Sequence, residues 1–169
     1  AFPELMSHRG PAGAAFVGTP AAITLLLDPG ADAPHVPDSG STGVTLAWET
    51  SAVTPSVLKA LVHSNGVSIN QRIVPRTQKW IAISRLFESA VKRGVSSSAL
   101  SLDLAHQRGS TALHKAAQFG NAEFAELLLS AGAAPSLELR NAMRCTPLDV
   151  ARRFGPFPET ESVRVQAAL

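Results

Sequence analysis

The chain contains a single cysteine, Cys145, in 169 residues, so an internal disulfide is excluded. It also lacks any Asn-x-Ser/Thr sequon. Both absences fit a reducing, intracellular setting, with cytoplasm and organelle interior equally open. The start at Ala1 follows either from removal of an initiator methionine or from loss of a targeting peptide. The longest apolar run, around Leu25–Leu27, is far too short to cross a bilayer, so no membrane span is expected. HExxH, P-loop and GxSxG signatures are all missing. The five histidines (His8, His35, His63, His106, His114) and Cys145 share no metal-ligand spacing. No catalytic residue, metal or cofactor is therefore expected, and the chain reads as a non-enzyme.

Charge is scarce and unevenly placed. Charged residues make up 17% and hydrophobic residues 45%, a composition able to bury a core within one domain. Between Arg9 and Lys59 there is no Lys or Arg, while Asp28, Asp32, Asp38 and Glu49 fall there. From Arg72 to Arg93 the sign reverses. Arg72, Arg76, Lys79, Arg85, Lys92 and Arg93 accompany one acid, Glu88. Two differently solvated faces produce such asymmetry, and so does a partner of matching charge. Trp80 interleaves the basic run, and no recognised motif accompanies it, so nucleic acid is not an expected partner.

What the sequence does have is repetition. "LLLDPGAD" at 25–32 returns as "LLLSAGAA" at 127–134, and "AAFVG" at 14–18 returns as "AAQFG" at 116–120. Gly18 to Gly30 and Gly120 to Gly132 are both 12 residues. "ALVHSNGVSIN" at 60–70 is a further copy, since Gly66 and Gly132 lie 66 residues apart, twice 33. "FESAVKRGVSS" at 87–97 and "TPLDVARRFG" at 146–155 complete the series, with Thr146 falling 35 residues after Thr111.

Each copy carries helix signals. Thr146-Pro147 and Thr111-Ala112 read as a capping residue and first helical position. Thr19-Pro20, Thr54-Pro55 and Asn121 mark the second helices. Leu113, Ala116 and Ala117 share one helical face, as do Phe124, Leu127 and Leu128. Gly132 ends its helix in a position suited to positive φ. One such unit cannot cover its own apolar faces, so stacking must close the core. "HVPDSGSTG" at 35–43 and "ETSAVTP" at 49–55 read as extended loops. "VSSSALSLDLAHQ" at 95–107 is a long connection whose "ALSLDLA" suits a short helix. The final "PETESVRVQAAL" suits a capping helix.

The period, with "GSTALHKAAQFGN", "LLLSAGAA" and "TPLDVA", resembles the ankyrin repeat. The resemblance implies an all-α solenoid of about five stacked helix-turn-helix repeats with short β-turn fingers. It spans one domain, 1–169, with repeats at about 7–37, 38–70, 71–105, 106–138 and 139–169. It implies that His114 ties neighbouring repeats by hydrogen bonds, and that Arg144 stands where a turn glycine of positive φ is usual.

The same resemblance implies a protein-interaction scaffold or adaptor, with partners met at the fingertips and the exposed first-helix positions. In this sequence those helix positions are Lys115, Gln118 and Phe119, then Val150, Arg153 and Phe154. Arg140, Met143 and Arg144 form the altered fingertip, which either has decayed or reads a partner. Phe119 and Phe154 either face a partner or pack on a neighbouring repeat. The alternative function is a permanent accessory subunit with fixed neighbours in a large complex, consistent with the long insertions.

Overall fold

The computed structural model describes residues 38–47, 53–64, 68–154 and 166–167. The unit read at 7–37 lies outside them. So does the closing "PETESVRVQAAL" segment, apart from the helical pair 166–167. Within the described residues there is no strand. The helices are α1 (Gly43–Leu46), α2 (Pro55–Ser64), α3 (Gln78–Lys92), α4 (Ala99–Gln107), α5 (Ala112–Phe119), α6 (Ala122–Ser130) and α7 (Pro147–Phe154). A short 3₁₀ turn, Ala134–Glu138, lies between α6 and α7.

One local device starts three of these helices. Thr42, Thr111 and Thr146 each precede a helix, and the residue three further on reaches back to the threonine N–H. Thr42 N–H donates to Thr45 Oγ1 at 2.7 Å, Thr111 N–H to His114 Nδ1 at 3.2 Å, and Thr146 N–H to Asp149 Oδ2 at 3.0 Å. The threonine hydroxyls accept in return, from Thr45 N–H at 3.2 Å and from Asp149 N–H at 3.2 Å. Reciprocal capping of this kind satisfies two orphan donors and stabilises a helix start by about 1 kcal/mol. Two residues before each threonine the backbone turns left-handed, at Gly40 (φ 79°), Gly109 (φ 77°) and Arg144 (φ 63°). At Gly40 the turn also excludes a side chain, since a Cβ there would lie 2.0 Å from the Val74 carbonyl oxygen.

The Thr42 copy lies in the stretch 35–43 read as an extended loop. Residues 38–42 are the turn and cap that lead into α1, with Thr45 in the place of His114. Glycine at 43 and threonine at 45 weaken the pattern enough to hide it.

The second helices follow their predicted caps. Thr54 Oγ1 accepts from Val57 N–H at 3.3 Å at the head of α2, and Asn121 Oδ1 accepts from Phe124 N–H at 2.9 Å at the head of α6. Gly132 ends α6 with φ 99°. A first core cluster joins Val44 of α1, its capping residue Ala47, and Leu58 and Leu61 of α2 to Leu113 and Ala116 of α5 and Phe124 and Leu128 of α6. Each fully buried leucine contributes roughly 1.5–3 kcal/mol, so this seam supplies much of the stabilisation. Small residues five past the caps, Ala47, Ala116 and Ala151, are 0%, 0% and 3% exposed, which lets first helices approach closely. Thus α1 packs directly on α5.

Between those two units, residues 74–108 are bracketed by a pair of backbone bonds. Ile73 N–H donates to Ser110 O at 2.7 Å, and Gly109 N–H donates to Ile73 O at 2.8 Å. The segment holds α3 and α4, which pair with each other as a hairpin. The short helix read in "ALSLDLA" is α4. A bidentate pair from Arg108 to Glu88, 2.7 Å in both arms, ties α3 to the end of the segment. A second core cluster seats the hairpin, with Ala105, Phe87 and Val91 packing among Ala117, Ala122, Met143, Cys145 and Val150.

Candidate functional site

The expected contact residues divide into a covered group and an exposed group. Lys115 and Gln118 project from α5 onto α4 of the hairpin. Lys115 Nζ donates to Asp103 Oδ1 at 2.5 Å, and Gln118 Nε2 donates to the same oxygen at 2.9 Å. Both residues are buried, at 6% and 5% exposure. The face that the repeat register assigns to a partner is therefore occupied by the chain's own hairpin. Val150 is fully buried in the second cluster, and Met143 is buried beside it. These side chains present almost no surface.

Phe119 sits at the edge of this contact, half-buried, with the Lys115 ammonium 5.6 Å from its ring centre. Phe154 is the last residue of α7, and its side chain lies outside the described part.

Arg140, Arg144 and Arg153 remain exposed. Arg140 donates from one guanidinium nitrogen to Arg144 O at 2.8 Å and lies 3.4 Å from Asp149 Oδ2. Arg144 N–H donates to Asn141 O at 2.9 Å, closing the turn that holds its left-handed backbone. Arg153 reaches across to Cys145 Sγ at 3.8 Å. The three arginines thus surround one edge, the turn 140–145 and the start of α7. Beneath them Asn141 is the organiser. Its Oδ1 accepts from the backbone N–H of Met143 (3.0 Å) and Cys145 (3.1 Å), and its amide donates to His106 Nδ1 at 3.1 Å.

The two central histidines are engaged structurally. His114 Nδ1 accepts from Thr111 N–H, which fixes the tautomer with hydrogen on Nε2, and Nε2–H donates to Cys145 O at 3.0 Å. Both ring nitrogens are used, so neither is left to take a proton from a substrate. Burial pushes the His114 pKa down to about 4, against the opposing hydrogen bond to Cys145. Burial also lowers His106 to about 4, helped by the nearby cations Arg153 and Lys115. Cys145 is buried beside the Thr146 cap. Among the described residues no group of three or more His, Cys, Asp or Glu could hold a metal ion. None of the described helices is long and apolar enough to cross a membrane.

Asp103 is the residue that sequence reasoning missed. It sits mid-helix in "ALSLDLA", a polar residue between apolar neighbours, and that placement is the only local sign of its role. Its partners lie 12 and 15 residues on, in another helix.

No curated protein matches the chain. A family model described as ankyrin repeats (3 copies) matches residues 79–164, just over half of the chain. With the repeated Thr caps, the inter-unit histidine bond and the stacked helix pairs, this establishes that the chain belongs to the ankyrin-repeat family.

Proposed function

We propose that this chain is a non-catalytic scaffold or adaptor that holds partner proteins at the arginine edge formed by Arg140, Arg144 and Arg153, and through Phe119. Ankyrin repeats are generally protein-interaction modules and are typically non-catalytic. The observation that carries the reading is Arg144. A left-handed φ of 63° disfavours any side chain, yet a long exposed cation occupies the position. Strained backbone at an exposed turn points to use rather than to folding. Met143, buried and bonded through its N–H to Asn141, belongs to the support of this edge, while Lys115 and Gln118 are buried against Asp103 of α4. The proposal covers one domain, 1–169, of about five repeats at 7–37, 38–70, 71–105, 106–138 and 139–169, working in an intracellular compartment on protein rather than nucleic acid.

The second reading, a fixed accessory subunit of a large complex, draws on the hairpin. All four exposed large apolar side chains of the described residues, Val74, Leu86, Val95 and Leu100, belong to the 74–108 segment. Apolar exposure confined to one element suits a permanent neighbour.

Affinity capture from native extract with the whole chain, followed by mass spectrometry, tests both. The adaptor reading expects partners that are lost when Arg140, Arg144 and Arg153 are changed to Ala together. Capture unchanged by the triple substitution overturns the arginine edge. Recovery only as a stoichiometric part of one large particle favours the subunit reading.

A further inference from the structure

At the root of the hairpin lies a cleft of about 300 Å³, between the 72–75 segment, the start of α3 and Arg108–Gly109. Its walls are aliphatic: Ile73, Val74, Pro75 and Ile81. Its charged residues are three arginines, Arg72, Arg85 and Arg108, and no acidic residue lines it. The lone acid of the basic segment, Glu88, is held by Arg108 in the bidentate pair. Arg72 is held in place too. Its Nε donates to Gly109 O at 3.2 Å, and a terminal nitrogen donates to Arg140 O.

Arg85 differs from both. It is exposed and makes no hydrogen bond or ion pair with the described residues. Two anchored guanidinium groups therefore share the cleft with a free one, over an apolar wall whose outer member, Val74, is 65% exposed. Guanidinium groups bind carboxylates in a planar, two-armed geometry, and Arg72 and Arg85, which have no carboxylate partner, leave the cleft net positive once Glu88 neutralises Arg108.

We propose that this cleft binds an extended segment of a partner protein in which an Asp or Glu stands next to an aliphatic side chain. The carboxylate meets Arg85 within the field of Arg72, and the aliphatic group covers Val74 and Ile81. A volume of this size suits one or two side chains rather than a folded surface. A nucleic acid fits less well, because no aromatic side chain lines the cleft to stack a base. The proposal rests on the interaction reading above and adds to it a second contact, on the hairpin, with a defined chemistry.

The test is a random peptide display selection on the immobilised whole chain, run in parallel on Arg85→Gln and Arg85→Lys. Arg85 is exposed and uncommitted, so both variants fold, which thermal melting checks. The expected result is enrichment of peptides carrying Asp or Glu beside Leu, Ile or Val. Their binding should fall about tenfold or more in Arg85→Gln and partly recover in Arg85→Lys. Enrichment indifferent to Arg85→Gln, enriched peptides without acidic residues, or no enrichment overturns the cleft. A fluorescent single-stranded oligouridine serves as the competing probe. Arg85-dependent binding of it without Arg85-dependent peptides also overturns the proposal. Failure here is distinct from failure of the interaction reading: extract partners kept by Arg85→Gln but lost with the arginine-edge substitutions sink the cleft alone.

Discussion

His114 Nε2–H donates to the carbonyl oxygen of Cys145 at 3.0 Å, across 31 residues of chain and from one repeat unit to the next. The same ring caps its own helix through Nδ1. One side chain therefore fastens the start of α5 and the turn before α7. His114→Ala removes both bonds, leaves the Cys145 carbonyl with only the Asn141 N–H as donor and opens a buried space. We expect a loss of about 2–4 kcal/mol in unfolding free energy, read from urea denaturation. A change under 1 kcal/mol would contradict the role, as would loss of a specific turnover in an otherwise intact fold.

The burial of His114 and His106 makes stability depend on pH in a definite direction. Unfolded histidine binds a proton below about 6.5, whereas these two in the folded chain do so only below about 4. Their folded values are depressed, so in that window unfolding takes up one proton per histidine. Stability is full above pH 6.5 and falls as the pH drops toward 4, by about 1.4 kcal/mol per pH unit for each residue. Urea midpoints measured between pH 7 and pH 5 check the slope, and a single His114→Asn substitution is expected to halve it. A flat profile would show that the rings titrate normally.

Asp103 supplies a prediction about the hairpin. It carries the hydrogen bonds of both Lys115 and Gln118, and the Lys115 side chain is 7% exposed. Asp103→Ala leaves that ammonium buried without its counter-ion. The expected loss is about 2–3 kcal/mol, below the range for fully buried pairs because Asp103 itself is partly solvated. Hydrogen exchange should show it locally, with amides of 99–107 losing protection while those of 122–130 keep theirs. Uniform loss across both helices would mean that the hairpin and the stack unfold as one unit.

Legibility from sequence followed the range of the interaction. Thr111, Thr146, Asn121 and Gly132 act through bonds spanning three or four residues, and their roles could be read directly. Arg144 could be read too, because a repeat register exposes a side chain standing in a glycine position. The environment of Lys115 could not. Its position on α5 is set by local periodicity, but what covers it is α4, which reaches it only through the turn after α3. Hydrophobic spacing in α3 and α4 matches a repeat unit as well as it matches a hairpin. The bonds from Ile73 to Gly109 and Ser110 fix where the two helices begin and end, and backbone pairing over 36 or 37 residues leaves no mark in composition. Thr42 was hidden for a different reason: Thr45 replaces the histidine as its capping partner, so the chemistry persists while the recognisable letters change.

Arg144 sets stability against binding. Its backbone adopts φ 63°, where a residue with a Cβ is disfavoured by about 1 kcal/mol relative to glycine. Its side chain is exposed, and the turn it closes is made by backbone atoms, Arg144 N–H to Asn141 O and Arg144 O to Arg140. Arg144→Gly keeps all of these bonds and relieves the strain. We therefore expect the variant to be more stable than the natural chain by about 1 kcal/mol, a rise of a few degrees in melting temperature. If the arginine serves the partner, the same substitution weakens capture of that partner while the fold improves. A variant that gains stability and keeps the partner would reduce Arg144 to a tolerated replacement of the turn glycine, and one that loses stability would mean that its side chain holds the edge together after all.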